Sequence, residues 1–260
     1  MSKTALVTGA SSEIGRSIVR RLVESGVNCA ITARRPELLD QVVAEHRDAD
    51  ATVLALPADM TDQTDREMLV ERTAGELGGP DIFVHVAAGS AIKPILDFPD
   101  EDWQADFAVN VDAAFSIAKL IAPGMRERGW GRIVTIGSVF ASLSANPFFY
   151  EGRWGDDEGR GPGRNAAYMP SKAALRMMSK DLAAIFGPWG ITVNMVSPGM
   201  IAISDRPIED DRRARYEKFT PVGRMGRADD ISNAVMFLAS EDSSFVNGID
   251  LTVDGGWSIW

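Results

Sequence analysis

Short apolar runs alternate with longer amphipathic segments along nearly the whole chain, and this alternation constrains the fold more than any other feature. The apolar runs are rich in β-branched residues and have few polar interruptions, which is typical of parallel strands buried on both faces. Successive parallel strands need crossover connections, and the amphipathic segments supply them as helices. The pattern predicts an α/β fold with a doubly wound parallel sheet, a single three-layer domain over residues 1–260.

Seven strands and six helices are predicted. The predicted strands are residues 4–8, 27–32, 52–56, 81–86, 132–136, 192–196 and 250–253. The predicted helices are residues 14–25, 37–46, 62–77, 103–128, 166–186 and 229–239.

An irregular insertion at residues 142–164 breaks the alternation. It holds seven Gly and Pro residues and an acidic run at 156–158. Its aromatic residues are Phe148, Phe149, Tyr150 and Trp154. A loop of this length is often functional. A solvated surface excursion is one interpretation. A flap over the substrate is favoured, because four aromatic side chains need an apolar partner.

Charge and composition argue against several classes of protein. A nucleic-acid binder normally presents a basic face, whereas this chain has a net charge of −10. The one cysteine, Cys29, predicts a buried thiol, so neither a disulfide framework nor a metal site is expected. No apolar run approaches the ~18 residues of a transmembrane helix, and the start of the chain does not resemble a signal peptide. We therefore expect a cytoplasmic protein.

A glycine-rich turn, T-G-A-S-S-E-I-G, follows the first predicted strand and leads into a helix. Free backbone N–H groups and the positive end of the helix dipole therefore face the turn, where they suit a phosphate. This placement is typical of a Rossmann-like dinucleotide site. The expected phosphate contacts are Gly9, Ser11, Ser12, Ile14 and Gly15.

The end of the second predicted strand indicates which dinucleotide binds. An acidic residue there usually holds the ribose 2′-hydroxyl of NAD, whereas this chain has Arg34 and Arg35 and no acid before Glu37. Arginine is always charged and binds phosphate through a planar fork. We predict NADP in preference to NAD, with Arg34 on the 2′-phosphate and Arg35 second. The alternative is an ordinary cation at a helix start.

Tyr168 and Lys172 lie four residues apart, so one helical turn places both side chains on the same face. A free tyrosine titrates near ~10, and a cation within a few ångströms lowers that pKa. The pair suits proton exchange with an alcohol or carbonyl oxygen. Such a pair also occurs by chance on helix surfaces, so its weight comes from the motifs around it.

Together these motifs resemble the short-chain dehydrogenase/reductase family of single-domain type. The family's turn, T-G-x-x-x-G-x-G, matches at Thr8, Gly9 and Gly15, and Glu13 replaces the middle glycine. A carboxylate there should hinder a pyrophosphate unless its side chain turns to solvent, and we expect it to be tolerated. The resemblance covers nearly the whole chain, down to the D-G-G ending at residues 254–256.

The resemblance implies a catalytic group of Asn110, Ser138, Tyr168 and Lys172. It implies that Tyr168 is the general acid or base, that Lys172 lowers its pKa and holds the nicotinamide ribose, and that Ser138 hydrogen-bonds the developing oxyanion. Asn110 is expected to position a water molecule that connects Lys172 to solvent. Ser138 and Tyr168 are thirty residues apart, more than is usual in the family, and the insertion accounts for the surplus.

Rival candidates lie inside the insertion. Ser142 and Ser144 compete with Ser138, which is favoured because it stands at the strand end. Tyr150 competes with Tyr168, but Trp154 stands where its lysine would be needed.

Further cofactor contacts are implied at other strand ends. They are Asp59 and Met60 on the adenine side, Ala88 and Gly89 after the fourth strand, Pro198 and Ile201 beside the nicotinamide, and Tyr168 and Lys172 themselves. The two asparagines that usually precede Ala88 and Gly89 are absent. His85 is interpreted as a hydrogen-bonded strand-end residue, not a catalyst.

We therefore predict an NADP-dependent oxidoreductase that interconverts a ketone or aldehyde and a secondary alcohol by hydride transfer. An enoyl reductase or a sugar epimerase of the superfamily is disfavoured, because the former spaces its tyrosine and lysine more widely and the latter is longer. The alternative from another class is a catalytically silent dinucleotide sensor or scaffold, which Glu13 keeps open. The expected partners are a small carbonyl or alcohol substrate and copies of the same chain, as a homodimer or homotetramer.

Overall fold

A computed structural model describes residues 2–150 and 159–260. The strands are β1 (Thr4–Thr8), β2 (Asn28–Thr32), β3 (Val53–Ala55), β4 (Ile82–His85), β5 (Lys93–Pro94), β6 (Gly131–Ile136), β7 (Gly163–Arg164), β8 (Ile191–Pro198) and β9 (Asp250–Val253). The helices are α1 (Glu13–Glu24), α2 (Pro36–Glu45), α3 (Gln63–Leu77), α4 (Asp100–Phe107), α5 (Ala113–Arg128), α6 (Tyr168–Phe186), α7 (Asp210–Phe219) and α8 (Ala228–Ala239).

Seven of the strands form one parallel sheet in the order β3-β2-β1-β4-β6-β8-β9, which confirms the predicted α/β fold. Thr8 lies opposite both Thr32 and His85, so the carboxyl ends of β1, β2 and β4 are level. Strand order reverses between β1 and β4, and ligands of such sheets bind in the crevice at that point. The predicted site residues therefore belong to the edge where the fold places a ligand.

Two apolar clusters sandwich the sheet. One includes Ile18 of α1 and Val235 of α8, and the other includes Leu69 of α3 and Ile117 of α5. Cys29 is buried as predicted, and its burial raises the pKa of the thiol to about 12. Across residues 2–150 and 159–260, no helix is both long and apolar enough to cross a membrane. The same ranges hold no group of three or more His, Cys, Asp or Glu side chains arranged for a metal ion.

The long helix predicted at residues 103–128 is divided. A π-helical turn, Ala108–Asp112, joins α4 to α5, and within it the N–H of Ala113 bonds the carbonyl of Ala108 instead of that of Val109. Such turns often occur at functional sites. Asn110 lies in this turn, so the irregularity falls on a predicted catalytic residue.

The insertion is attached to the fold at both of its described ends. The ring of Phe149 lies 4.5 Å from that of Trp257 and 5.1 Å from that of Phe219, between centroids. At the other end, β7 pairs with β5 as a two-stranded antiparallel ribbon. Phe149 thus has its apolar partner within the protein, in the aromatic cluster that contains Phe219 and Trp257. The side chain of Tyr150 and all of Trp154 lie outside the described part.

The helix α7 has no counterpart among the predictions. It is strongly polar, and its one buried residue is Tyr216. A helix with so little apolar periodicity gives a weak sequence signal, and it is held by tertiary contacts of that residue.

Candidate active site

Ser138 and Tyr168 meet at the carboxyl edge of the sheet. Ser138 follows the end of β6, and its Oγ accepts a 3.2 Å hydrogen bond from the N–H of Phe140 in a short 3₁₀ turn. Tyr168 opens α6, and its side chain interacts with Ser138, which lowers the pKa of the phenol. The 29 intervening residues do not keep them apart, because α6 begins at the same edge of the sheet at which β6 ends. Two predicted catalytic residues are therefore in contact.

Burial raises the pKa of Tyr168, and its hydrogen bond with Ser138 lowers it by a smaller amount. Lys172 is not among the causes of this pKa shift, so the prediction that it lowers the pKa stays a prediction. The ammonium lies 5.6 Å from the tyrosine ring centroid, and Nζ donates a 2.7 Å hydrogen bond to the carbonyl of Ile136. A phenol with a raised pKa keeps its proton, so Tyr168 suits a proton donor.

Lys172 is almost completely buried, with 1% of its surface exposed. Burial disfavours the ammonium and lowers its pKa from 10.5 to about 8. The carbonyl of Ile136, at the end of β6, fixes the side chain beside Tyr168. The lysine is therefore held in place and titrates close to neutral pH.

The side-chain amide of Asn110 makes three hydrogen bonds within the protein, which use both of its N–H donors and one lone pair of Oδ1. Its Oδ1 accepts from the N–H of Gly89 at 2.8 Å, and its Nδ2 donates to the carbonyl of Gly89 at 3.1 Å and to Oγ of Ser171 at 2.8 Å. It joins the loop after β4 to α6. Ser171 was not predicted, and its only sequence signal is its place in the turn between Tyr168 and Lys172.

His85 links three elements at the same edge. Its Nε2 lies 3.0 Å from the carbonyl of Val109, so Nε2 carries the proton and Nδ1 accepts from Oγ1 of Thr8, also at 3.0 Å. Burial, and then the charge of Lys172, lower the pKa of His85 to about 3. The residue is neutral, which confirms the interpretation of a hydrogen-bonded strand-end histidine.

The glycine turn is closely packed at two of its predicted positions. Gly9 has φ +65°, and a Cβ there would lie 2.6 Å from the backbone nitrogen of Ala87. A Cβ on Gly15 would lie 2.3 Å from the carbonyl oxygen of Gly9. Ser12 caps α1 by accepting from the N–H of Gly15 at 3.1 Å. The main chain of the turn thus lies close to the first residues of α1. Binding of a dinucleotide pyrophosphate requires such an approach of backbone N–H groups at a helix start.

Glu13 is partly exposed, and its carboxylate also bonds another segment of the chain. Its Oε2 accepts a 2.7 Å hydrogen bond from the backbone N–H of Ser204, in the segment after β8. The side chain is tolerated because it points out of the turn.

Arg34 lies near Asp59 at the ends of β2 and β3, where the adenosine part of a dinucleotide would bind. Arg34 and Arg35 are exposed just after β2. The N–H of Thr61 is the main cause that holds the pKa of Asp59 below its usual value, and Arg34 adds a weaker attraction. The side chain of Met60 is buried in the core, so only its main chain is available to a ligand.

The remaining predicted contacts line the same edge. Ala88 is exposed and Gly89 is partly buried in the loop after β4. Pro198 ends β8, and Ile201 forms a parallel bridge with Gly226. In that bridge the N–H of Ala202 and the carbonyl of Met200 bond Gly226, which leaves the peptide groups of Ile201 directed the other way.

The rival serine Ser142 is hydrogen-bonded to Arg176 on α6. Ser144 is exposed within the insertion. Ser138 is the serine in contact with Tyr168.

Comparisons with known proteins agree with this geometry. A family model described as short chain dehydrogenase matches residues 3–149, and one described as Enoyl-(Acyl carrier protein) reductase matches residues 157–258. The 3-oxoacyl-[acyl-carrier-protein] reductase FabG of Escherichia coli is 35% identical over 98% of this chain and 96% of its own. The D-beta-hydroxybutyrate dehydrogenase of Rhizobium meliloti is 29% identical over 99% of both chains.

Solved structures show the same fold. A gluconate 5-dehydrogenase from Burkholderia cenocepacia, in complex with NADP and tartrate, has a TM-score of 0.86 and 29% identity, covering 100% of this chain and 97% of that one. A short-chain type dehydrogenase/reductase from Mycobacterium marinum has a TM-score of 0.86 and 32% identity, covering 98% and 95%. This chain belongs to the short-chain dehydrogenase/reductase family and is an oxidoreductase acting on CH–OH or carbonyl groups.

Proposed function

We propose that this enzyme reduces a ketone or aldehyde with NADPH, and runs the reverse oxidation, with Tyr168 as the general acid or base. The observation that carries the proposal is the position of the Tyr168 side chain, which interacts with Ser138 and lies beside the buried Lys172. The group lies at the edge of the sheet that also holds the glycine turn.

Each side chain has a role that its surroundings support. The raised pKa of Tyr168 keeps the phenol protonated, so it donates a proton to the carbonyl oxygen of the substrate. The hydroxyl of Ser138 hydrogen-bonds the same oxygen as negative charge develops. Lys172 places a positive charge under the tyrosine and, near pH 8, supplies or accepts a proton. The dinucleotide, when bound, supplies the hydride.

Asn110 positions the loop that carries Gly89 against α6, through its bonds to Gly89 and Ser171. We retain the proposal that it also orders water on the path from Lys172. These bonds connect the loop after β4 with α6 beside the proposed catalytic residues.

NADP is proposed as the dinucleotide. Arg34 and Arg35 follow β2 where the 2′-phosphate would lie, and a structural neighbour is a complex with NADP. The packed Gly9 and Gly15 and the open start of α1 fit the pyrophosphate.

The names of the relatives suggest small oxygenated substrates: a 3-oxoacyl group, a hydroxybutyrate and a gluconate. Phe149 packs on the chain's own aromatic cluster, so it gives no reason to expect an aromatic substrate. The four-residue spacing of Tyr168 and Lys172 favours carbonyl reduction over enoyl reduction. We also propose that the protein forms a homo-oligomer. Phe115 on α5 and Met177 on α6 are 46% and 65% exposed, and such apolar side chains are typical of a surface that another copy of the chain covers.

The test is NADPH turnover on a panel of 3-oxo and 2-hydroxy acids, ketones and aldehydes. Tyr168→Phe should lower turnover about 10²- to 10⁴-fold while NADPH still quenches or enhances fluorescence on binding. Tyr150→Phe, the rival tyrosine, is the matched control and should keep its turnover. Full activity in Tyr168→Phe contradicts the mechanism. Binding without turnover by the wild-type protein supports the silent alternative.

A further inference from the structure

Glu13 makes a contact that the proposed chemistry does not use. Its Oε2 accepts a 2.7 Å hydrogen bond from the backbone N–H of Ser204, a residue 191 positions further along the chain. Glu13 opens α1 beside the glycine turn, whereas Ser204 lies between β8 and α7. The bond connects the dinucleotide turn directly to the segment after β8. We call it the Glu13–Ser204 latch.

The path of this segment crosses the carboxyl edge. The sheet order β1-β4-β6-β8 places β8 three strands from β1, a distance of roughly 14 Å at the usual strand spacing. Ser204 nevertheless reaches the start of α1, which follows β1. The chain after β8 therefore runs over the crevice in which a dinucleotide would lie.

Residues 203–208 depend on the latch for their position. Residues 199–202 are held by main-chain hydrogen bonds to neighbouring segments. Within the described part of the chain, the latch is the one hydrogen bond that joins residues 203–208 to another element. At the far end, Ile208 packs against the apolar cluster that includes Trp257. Loss of the latch would leave the near end of this segment without an anchor.

The latch also places a negative charge at the first residue of α1. The exposed N–H groups of a helix start attract anions, and a pyrophosphate in the glycine turn would use the same ones. Two anions at one helix start repel each other, and this repulsion is stronger at a partly buried site than in water. Glu13 is partly buried. The carboxylate would therefore oppose a bound pyrophosphate while it anchors the covering segment.

We propose that Glu13 is a positioning residue that controls dinucleotide exchange, by holding residues 203–208 over the glycine turn and by opposing the pyrophosphate. The proposal rests on the proposed dinucleotide site. Its two effects have separate causes: the anchor needs an acceptor oxygen, and the opposition needs a negative charge. Substitutions that remove one or both can separate them.

Glu13→Gln keeps an acceptor for Ser204 and removes the charge. We expect its Kd for NADPH, measured by fluorescence titration, to fall about tenfold, because the repulsion is lost. Amide exchange at residues 203–208 of the dinucleotide-free protein should stay as slow as in the wild type. Glu71→Gln, on the exposed face of α3, makes the same change in net charge and should leave the Kd within about twofold.

Glu13→Ala removes both the charge and the acceptor. We expect amide exchange at residue 204 of the dinucleotide-free protein to accelerate at least about tenfold, because its hydrogen bond is gone. Association and dissociation of NADPH, followed by stopped flow, should both become faster than in Glu13→Gln. If amide exchange at residue 204 and the NADPH association and dissociation rates were equal in the two variants, Glu13 would not anchor residues 203–208. An unchanged Kd in Glu13→Gln would show that the carboxylate does not oppose the pyrophosphate. Failure of the wild type to bind NADPH would refute the proposed function, and the exchange experiment would still test the anchor.

Discussion

Nε2 of His85 lies 3.0 Å from the carbonyl oxygen of Val109, the acceptor that the π-helical turn leaves without its usual helical partner. In a regular helix the N–H of Ala113 would bond Val109, but here it bonds Ala108. The imidazole replaces the lost donor, so the irregular turn has no unsatisfied carbonyl at this point. A strand-end histidine thus stabilises the turn that carries Asn110.

His85→Leu should lower the free energy of unfolding by about 2–4 kcal/mol, because it leaves the buried groups of Thr8 and Val109 without their partner. Urea denaturation measures this loss. His46→Leu, at the end of α2, is the matched control and should change stability by less than about 0.5 kcal/mol. Equal effects of the two substitutions would contradict the role of His85.

The same histidine predicts that the protein loses stability as the pH falls below about 6.5. Its pKa is lowered to about 3 in the fold, while in the unfolded chain it remains near 6.5. Between these values the unfolded state binds a proton that the folded state does not, so stability falls as the pH decreases. The slope from this one group is at most about 1.4 kcal/mol per pH unit. The difference in unfolding free energy between wild type and His85→Leu should therefore shrink from pH 6.5 towards pH 3.

Lys172 predicts a second pH effect, on the alkaline side. Its folded pKa is about 8, below the ordinary value of 10.5, so above pH 8 the folded protein loses a proton that the unfolded chain still holds. Stability should rise with pH between 8 and 10.5, and Lys172→Met should lack this rise. If the ammonium is needed for turnover, kcat/KM should fall above about pH 8. A rate that stays level to pH 10 would contradict the need for the charge.

The strand and helix order follows from hydrophobic periodicity, whereas the pairing of Ser138 with Tyr168 is predicted by the family resemblance. The sequence does not predict α7, whose polar surface carries no periodic signal. The net direction of the tyrosine pKa shift, which burial raises, also does not follow from the sequence. Spacing shows that Lys172 is one turn from Tyr168, but burial and the Ile136 carbonyl, which belong to the tertiary structure, decide the outcome.

Arg34→Asp tests the choice of dinucleotide. It should raise the Kd for NADPH about tenfold to a hundredfold and leave that for NADH nearly unchanged, because a charge-assisted pair with the 2′-phosphate is lost. Arg35→Asp should have a smaller effect of the same sign, and Arg47→Asp, after α2, is the distant control. If the affinity for NADPH does not fall relative to NADH, the assignment of NADP is wrong. The two Kd values are measured by fluorescence titration.

Gly137 precedes Ser138 at a position where the family usually has a serine, and the side chains of Met195 and Ser197 crowd this position. A Cβ on Gly137 would lie 1.8 Å from Cε of Met195, whose thioether fills that space from β8. Gly137→Ser should therefore cost about 1–3 kcal/mol of unfolding free energy by overpacking. Met195→Ala alone should cost about 2–5 kcal/mol, because it leaves a cavity.

The double variant distinguishes this explanation from a general effect of the two sites. If the serine fills the space that the methionine vacates, the combined loss should be smaller than the sum of the single losses by about 1 kcal/mol or more. Urea denaturation of the four proteins gives this coupling energy. Losses that simply add would show that Met195 does not determine the glycine. Turnover should follow the same pattern, because the peptide that carries Ser138 shifts when residue 137 is overpacked.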